Sequence, residues 1–455
     1  MNRPYLRIAG AAYAALCFVL SFHGPMKAEP VCMFSAVLVL LIVFRGLDKR
    51  PAFWLAFAHG MAAYGIALSW FWNIFSHVAI ALYAILAFFV GLFAVGQSMA
   101  CKRGWSPWRM VLFTATSWTG IEFFRSELFV LDFPWMTPAV AVGPHALLPW
   151  IGVYGVSFVI VALMAMLLHR RTIAFGIIGL GVFQAGVVAV RNEVPIDQSV
   201  AIRFAALQFE GVSFDVYRKA TEALDLAIDL VLWPEEAVPY DVRTNKADMA
   251  SLKSLVQKPS RVLVLGTQTR PAPDHWFNTA LTMDSTGVLG EHYKNHPVHL
   301  FDDGTPGKSA LPVKTPLGVV GTPICFDNDY QGVVRKMTAA GAEFFAVPSM
   351  DAESWGDKQH WQHSELFRLR ACENGRWMLI CPSSGMSQLI DPNGNRRAQL
   401  DPMKQGVFTG VLNKESRLTF FTRYGWIFPW CALSAAFIMW TGLCLVPASR
   451  AKARA

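Results

Sequence analysis

Long, nearly unbroken apolar stretches occupy both ends of this chain, and between them lies a block whose apolar positions come in short, punctuated runs. Crossing the hydrocarbon core of a bilayer takes about 20 consecutive apolar residues. Seven segments before residue 195 fit that pattern, over roughly 6–22, 31–46, 52–73, 77–100, 107–124, 148–168 and 172–190, and an eighth covers 425–446. The intervening block alternates strand-like and helix-like segments. Strands are predicted over 200–208, 228–233, 261–268, 277–284, 317–324, 343–348, 376–382 and 406–413, and helices over 214–226, 248–257, 330–340 and 359–374. Helices between apolar strands imply layered α/β packing around a central sheet. The expected organisation is an α-helical transmembrane bundle over 1–194, an α/β domain over 195–420, and a last transmembrane helix with a basic tail over 421–455.

Composition sharpens this picture. The 455 residues are 54% hydrophobic and 16% charged, with mean hydropathy +0.35. An ordinary soluble chain carries about 25% charged residues, so the pattern is that of an integral membrane protein. The net charge of +8 does not mark a nucleic-acid binder, because the basic residues cluster in short loops between spans. Arg3 and Arg7 precede the first span; Arg45, Lys49 and Arg50 follow the second; Lys102, Arg103 and Arg109 follow the fourth; Arg170 and Arg171 follow the sixth; Arg450, Lys452 and Arg454 follow the eighth. The opposite loops are poor in Lys and Arg or mixed, as with Glu122, Arg125, Glu127 and Asp132. Positive residues stay inside, so both termini are expected in the cytoplasm and residues 195–420 on the periplasmic side of a bacterial inner membrane. The first segment could instead be a signal peptide, but Gly-Pro-Met-Lys-Ala-Glu after it is a poor cleavage site.

The chemistry concentrates in the α/β block. Cys325 ends the apolar run Leu317-Gly-Val-Val-Gly-Thr-Pro-Ile-Cys325, Glu235 follows Val-Leu-Trp-Pro, and Lys294 lies in His-Tyr-Lys294-Asn-His. A thiol is barely ionised at neutral pH and needs a base before it can attack an ester. Glu235, held by the rigid Trp233-Pro234, is the candidate base. Lys294 supplies positive charge for the oxyanion that attack creates. Each piece alone has an ordinary structural reading; their order and context make them acyl-transfer machinery. ATP is absent from the periplasm, so an existing ester is the expected donor. The remaining cysteines lie mostly in or beside apolar spans, where a free thiol is a small hydrophobe. His292, His296 and His299 lack the spacing of a metal site. No cofactor is expected, since the chain has no metal set, phosphate loop or dinucleotide fingerprint.

These residues carry a family resemblance. The α/β block resembles the nitrilase, or carbon–nitrogen hydrolase, superfamily, with its Glu, Lys and Cys in that order. The whole chain resembles the membrane-embedded apolipoprotein N-acyltransferase branch. Trp118-Thr-Gly-Ile-Glu122-Phe-Phe-Arg125, Phe133-Pro134-Trp135 and Gly152-Val-Tyr-Gly-Val-Ser-Phe158 match its membrane part. Leu-Trp-Pro-Glu235, Tyr293-Lys294-Asn-His296, Ile324-Cys325, Gln362-His363, Arg368, Arg370-Ala371, Glu373, Gly375-Arg376 and Asp391-Pro392-Asn-Gly394 match its soluble part. The resemblance implies an αββα sandwich and a ping-pong reaction. Cys325 would take an acyl chain from a membrane phospholipid and pass it to the α-amine of an N-terminal S-diacylglyceryl cysteine on a diacylated apolipoprotein. The chain would act as a monomer, without nucleic acid.

Several positions depart from the family pattern. Asp302 stands at the offset of a functionally important Glu, in Pro297-Val-His-Leu-Phe-Asp302. Phe326-Asp327 replaces Tyr-Glu after the nucleophile, and Tyr217 stands for an aromatic, usually Trp, near the substrate arm. Asp302, Phe326, Asp327 and Tyr217 are therefore expected to line the substrate pocket, and Trp233 and Trp355 to shape its acyl-binding part. Glu236 is expected in solvent. The departures leave open a changed acceptor, another amine or water, or a non-catalytic lipid-binding descendant; the intact Glu235, Lys294 and Cys325 argue against the last.

Overall fold

The computed structural model describes residues 3–22, 30–257, 261–272 and 274–445. The expected basic tail at Arg450, Lys452 and Arg454 and the segment 24–29, weighed as a cleavage site, lie outside the described residues. The chain divides into two compact units, 1–189 with 424–455 and 190–423.

The first unit is helical: α1 (Pro4–Leu20), α2 (Val31–Phe44), α3 (Lys49–Ala67), α4 (Phe71–Phe75), α5 (Ala79–Cys101), α6 (Pro107–Phe123), α7 (Pro138–Val142), α8 (Leu148–Met166), α9 (Ile173–Ala189) and a last helix, Phe428–Leu445. Every expected span contains a helix. Among the described residues, Phe71–Cys101, Leu148–Met166 and Gly425–Leu445 are long and apolar enough to cross a membrane, and Pro4–Leu20, Val31–Phe44 and Ile173–Ala189 are shorter apolar helices. Small residues let the helices approach closely: a Cβ on Gly60 of α3 would stand 2.7 Å from the Ala87 Cα of α5. Glu122 and Arg125, read from sequence as part of a mixed loop, are instead buried. Glu122 accepts from Trp118 Nε1 at 2.9 Å, and the Arg125 guanidinium donates to the Phe133 and Trp135 carbonyls. Both lie at the end of α6 and in the π-helical turn that follows it, so the helix carries them inward.

The second unit has twelve strands: β1 (Ile202–Gln208), β2 (Leu230–Leu232), β3 (Val262–Ala272), β4 (His275–Asp284), β5 (Gly287–Tyr293), β6 (Val313–Thr315), β7 (Gly318–Gly321), β8 (Phe344–Pro348), β9 (Met378–Cys381), β10 (Ser387–Ile390), β11 (Arg396–Leu400) and β12 (Gly406–Leu412). They form two six-stranded sheets, ordered β12-β1-β2-β3-β4-β5 and β11-β10-β9-β8-β7-β6, as the family resemblance implied and where the strand pattern alone suggested one central sheet. Side chains alternate across a strand with period two, and here both faces are buried. Phe204, Leu230, Leu232, Val262 and Val264 of one sheet pack against Val320, Phe344, Ala346, Leu379 and Leu389 of the other. The alternate residues, Ala205, Leu207, Val231, Trp233 and Leu263, face a second cluster with α10 (Phe214–Glu222) and α11 (Lys246–Leu255). On the far side Phe345, Val347, Met378 and Ile380 pack with residues of α12 (Gly332–Ala339) and α13 (Asp357–Asn374). The result is a helix–sheet–sheet–helix sandwich. It explains why the inner strands read as continuous apolar runs rather than alternating ones.

The sequence reading missed β5, β6, β10 and β11. These strands are short or lie at sheet edges (β5, β6 and β11), and none carries a long apolar run. Phe344 has no exposure at the centre of the inter-sheet core. Phe344→Ala is expected to destabilise the unit by about 3–5 kcal/mol, read as a lowered thermal midpoint of the full chain.

Candidate active site

Three segments carry the candidate residues to one place in the second unit. Glu235 follows the end of β2, Lys294 follows β5, and Cys325 opens a short 3-10 turn after β7. The Glu235 N–H donates to the Ser349 carbonyl just beyond β8, so this segment of one sheet is tied to the end of the other. Gly266 of β3 makes room for it. A Cβ there would lie 2.3 Å from the Pro234 carbonyl oxygen and 2.5 Å from the Glu235 Cα. Cys325 itself has φ +45, a conformation that costs energy for a residue with a side chain and that clusters at functional sites.

Lys294 is 2% exposed, and its Nζ lies 2.7 Å from both Glu235 Oε1 and Asp303 Oδ2. Asn278 on β4 ties the same two carboxylates together, its Nδ2 donating to Glu235 Oε1 and Asp303 Oδ1 at 2.7 Å each. Glu235 Oε1 is thus held twice, while its buried Oε2 has no hydrogen-bond partner among the described residues. An ammonium has three donors, so Lys294 keeps one beyond its two carboxylates. The Cys325 Sγ lies 3.6 Å from the Met350 carbonyl oxygen.

The electrostatics follow from burial. Loss of water pushes the Glu235 carboxyl up to about 7, with Lys294 pulling against it and Asp303 pushing with it. Burial by itself would lower the Lys294 ammonium, but Glu235 and Asp303 outweigh it and hold the pKa well above the ordinary value. Burial, then the Glu235 charge, drives the Cys325 thiol well above its usual range, against the pull of Lys294. The resting site therefore holds a protonated thiol beside a carboxyl group that titrates near neutrality.

The structure corrects several expectations. Asp303, not Asp302, meets Lys294; Asp302 is exposed and accepts from Trp276 Nε1 at 3.3 Å. The cause is a turn in which Leu300 adopts φ +70 and the Phe301 N–H donates to the Val298 carbonyl, which rotates Asp302 outward. Tyr217 and Trp233 are core rather than pocket. They stack at 5.1 Å; Tyr217 Oη donates to the Phe209 carbonyl and Trp233 Nε1 to Thr221 Oγ1. Asp327 is a buried clamp. It accepts from His292 Nε2 and from the Ile324, Asn295 and His296 N–H groups, so it fastens the Lys294 loop to the Cys325 turn. Burial alone would raise its carboxyl, but His292, His296 and these donors hold it below the usual range. Glu236 is half-buried at φ +49 and accepts from Gln268 Nε2, rather than standing in solvent. Phe326 packs on the small cluster of Ala280, Ile324 and Cys325, and Trp355 lies against Phe301 at 5.9 Å.

Asn278, Asp303 and the His363 network were not singled out as site residues from sequence. Buried His363 bridges two buried carboxylates, with Nδ1 2.7 Å from Asp351 and Nε2 3.2 Å from Asp329. Burial opposes its protonation, but the two charges overrule it and lift the imidazole to about 10. It braces the segment whose Met350 carbonyl faces Cys325. The adjacency of Asp303 to Asp302 and the Gln362-His363 pair were the available signals; a lone Asn on a strand gives none. The tight passage over Gly266 is testable: Gly266→Ala is expected to cost about 1–3 kcal/mol, checked by thermal unfolding.

Comparisons with known proteins agree with this organisation. Residues 14–166 match the apolipoprotein N-acyltransferase N-terminal domain, and residues 204–417 match the carbon–nitrogen hydrolase domain. Apolipoprotein N-acyltransferases of Pseudomonas aeruginosa (strain UCBPP-PA14) and Geobacter metallireducens are each 24% identical. The first alignment covers 92% of both chains, and the second covers 96% of this chain and 95% of its relative. Among solved structures, Nit3 of Saccharomyces cerevisiae, from the nitrilase superfamily, is 21% identical over 47% of this chain and 90% of its own, with TM-score 0.41. A carbon–nitrogen hydrolase of Helicobacter pylori G27 is 19% identical over 54% and 95%, also with TM-score 0.41. With both domains matched in order and relatives aligned along nearly its whole length, the chain belongs to the apolipoprotein N-acyltransferase branch of the carbon–nitrogen hydrolases.

Proposed function

We propose that this protein is a phospholipid-dependent N-acyltransferase of the bacterial inner membrane, with its α/β unit on the periplasmic side. Cys325 is the nucleophile, Glu235 the base and Lys294 the oxyanion partner. One observation carries this reading: Glu235 Oε1 is locked by Lys294 and Asn278, while Oε2 is buried without a partner near a thiol that burial keeps protonated. An unsatisfied carboxylate oxygen is costly to maintain, and a proton in transit gives it a purpose.

In the first half-reaction Glu235 Oε2 takes the Cys325 proton as sulfur attacks the ester carbonyl of a phospholipid. The third N–H of Lys294 donates to the developing oxyanion. The C–O bond breaks, the proton passes to the departing lysophospholipid oxygen, and an acyl thioester remains. In the second half the α-amine of an N-terminal S-diacylglyceryl cysteine attacks the thioester. Glu235 takes the amine proton, the C–S bond breaks, and the proton returns to sulfur. Lys294 and Glu235 serve both halves, as ping-pong chemistry requires. The exposed apolar side chains Leu300 and Phe301, with Trp355 against Phe301, offer a surface for the acyl chain.

Intact-protein mass spectrometry in phospholipid tests this directly. An acyl mass on Cys325 should form and then move to the α-amine of an added diacylated lipopeptide; transfer only to water or to another amine would replace the proposed acceptor. Cys325→Ser should stay folded and inactive, and Glu235→Gln should bind lipid yet form no thioester. Asp303→Asn should slow thioester formation about 10²-fold through misplacement of Lys294, whereas Asp302→Asn should leave it nearly unchanged; equal effects would overturn the corrected assignment. The base must be ionised to act, so thioester formation should fall about tenfold per pH unit below the Glu235 pKa, which lies at about 7. Above that pKa it should level off. A rate independent of pH across this range would exclude Glu235 as the base.

A further inference from the structure

The helical unit contains a cavity that the proposed reaction does not use. It lies where the C-terminal ends of α2, α5 and α8 meet the start of α6, and its volume is about 210 Å³. Arg45, Gln97, Thr114 and His169 contribute polar groups to its wall, and Trp105 and Met110 contribute apolar ones. Arg45 follows α2, Gly104 follows α5 and His169 follows α8, so three loop ends on the expected cytoplasmic side converge here. Lys102, Arg103, Arg170 and Arg171 belong to the same loops, and Lys49 and Arg50 open α3 just after the first. Asp48, acidic on this rim, is already engaged by Lys102.

Two observations point to a ligand. Gln97 is 6% exposed; its Oε1 lies 3.1 Å from Thr114 Oγ1, whose single proton is shared with the Met110 carbonyl at 2.8 Å, and its Nε2 has no hydrogen-bond partner among the described residues. A buried donor left unpaired between membrane helices is expensive, and here it borders an open volume. Arg45 uses Nη1 on the Leu168 carbonyl at 3.2 Å. Its guanidinium offers five N–H groups in a planar fork suited to phosphate oxygens. A fixed amide donor, a guanidinium and an imidazole around one volume favour a tetrahedral oxyanion. The cavity is smaller than the roughly 300–1,000 Å³ that encloses a whole small-molecule ligand, so it suits a headgroup phosphate rather than an acyl chain. Leu41, Ala165 and Leu168 complete the apolar part of the wall.

We propose that this cavity binds the phosphodiester of an anionic phospholipid in the leaflet facing the basic loops. It is distinct from the donor used at Cys325 and independent of the proposed reaction. Basic pockets between membrane helices on that side are suited to anionic headgroups.

Native mass spectrometry of the delipidated full chain in detergent tests it, with dioleoyl-phosphatidylglycerol as the probe and dioleoyl-phosphatidylcholine as the zwitterionic control. Phosphatidylglycerol should bind at one site in preference to phosphatidylcholine. Arg45→Gln should weaken that binding at least about tenfold, the scale of a lost charge-assisted hydrogen bond. Gln97→Leu removes the unpaired donor while filling similar space; it should weaken phosphatidylglycerol binding without lowering the thermal midpoint, which guards against loss by misfolding. Millimolar inorganic phosphate should not displace the lipid. Unchanged phosphatidylglycerol binding in both variants would overturn the site, equal binding of the two lipids would overturn its anionic character, and displacement by phosphate would reassign it to a small soluble anion.

Discussion

The buried ammonium of Lys294 is the interaction on which the rest of the α/β unit's chemistry depends. An isolated charge in a dry interior is prohibitively costly, so burial is tolerated only where opposite charges and hydrogen bonds replace water. Glu235 and Asp303 supply those charges, and Asn278 fixes both carboxylates to one strand. Two carboxylates around one ammonium leave negative charge in excess. Burial, together with that excess, lifts the Glu235 carboxyl to about 7 and holds the neighbouring Cys325 thiol in its neutral form.

Holding such a cluster demands rigid surroundings, and the sandwich provides them. Residues at the ends of strands from both sheets converge, and the backbone bond from Glu235 to Ser349 links them. Asp327 fastens the Lys294 segment to the Cys325 turn through three hydrogen bonds, from His292, Asn295 and His296, and a fourth from Ile324 within the turn. His363, charged between Asp351 and Asp329, braces the segment beside the sulfur. These buried groups need not touch a substrate. They fix the geometry of those that would, because a misplacement of about 1 Å is enough to cost two orders of magnitude in rate. Asp327, two residues after Cys325, makes its complete set of bonds with a short carboxylate.

The helical unit obeys a different constraint. Among membrane helices apolar burial does not discriminate one neighbour from another, so small residues and buried polar pairs set the packing. Gly60 against Ala87, and Trp440 Nε1 donating to Ser117 Oγ across two helices, are instances. Gln97 Nε2, buried beside a cavity, has no hydrogen-bond partner among the described residues, and the proposed lipid phosphate would supply one.

The sequence by itself determined the helical segments at both ends and the inner strands of the α/β unit, and it pointed to Glu235, Lys294 and Cys325 as a candidate set. Each of these is written in local pattern: apolar run length, turn residues and motif context. Tertiary structure decided what depends on the path of a loop or the facing of a surface. The left-handed Leu300 turned Asp303 inward and Asp302 outward, a rotation that spacing along the chain does not encode. Period-two burial on both faces of the strands made two sheets where apolar runs alone indicated one. Tyr217 and Trp233 went into the core because Tyr217 sits on the buried face of α10 and stacks on Trp233 at the end of β2. Asn278 and His363 gained their roles only when strands and helices distant in sequence were brought within hydrogen-bonding reach.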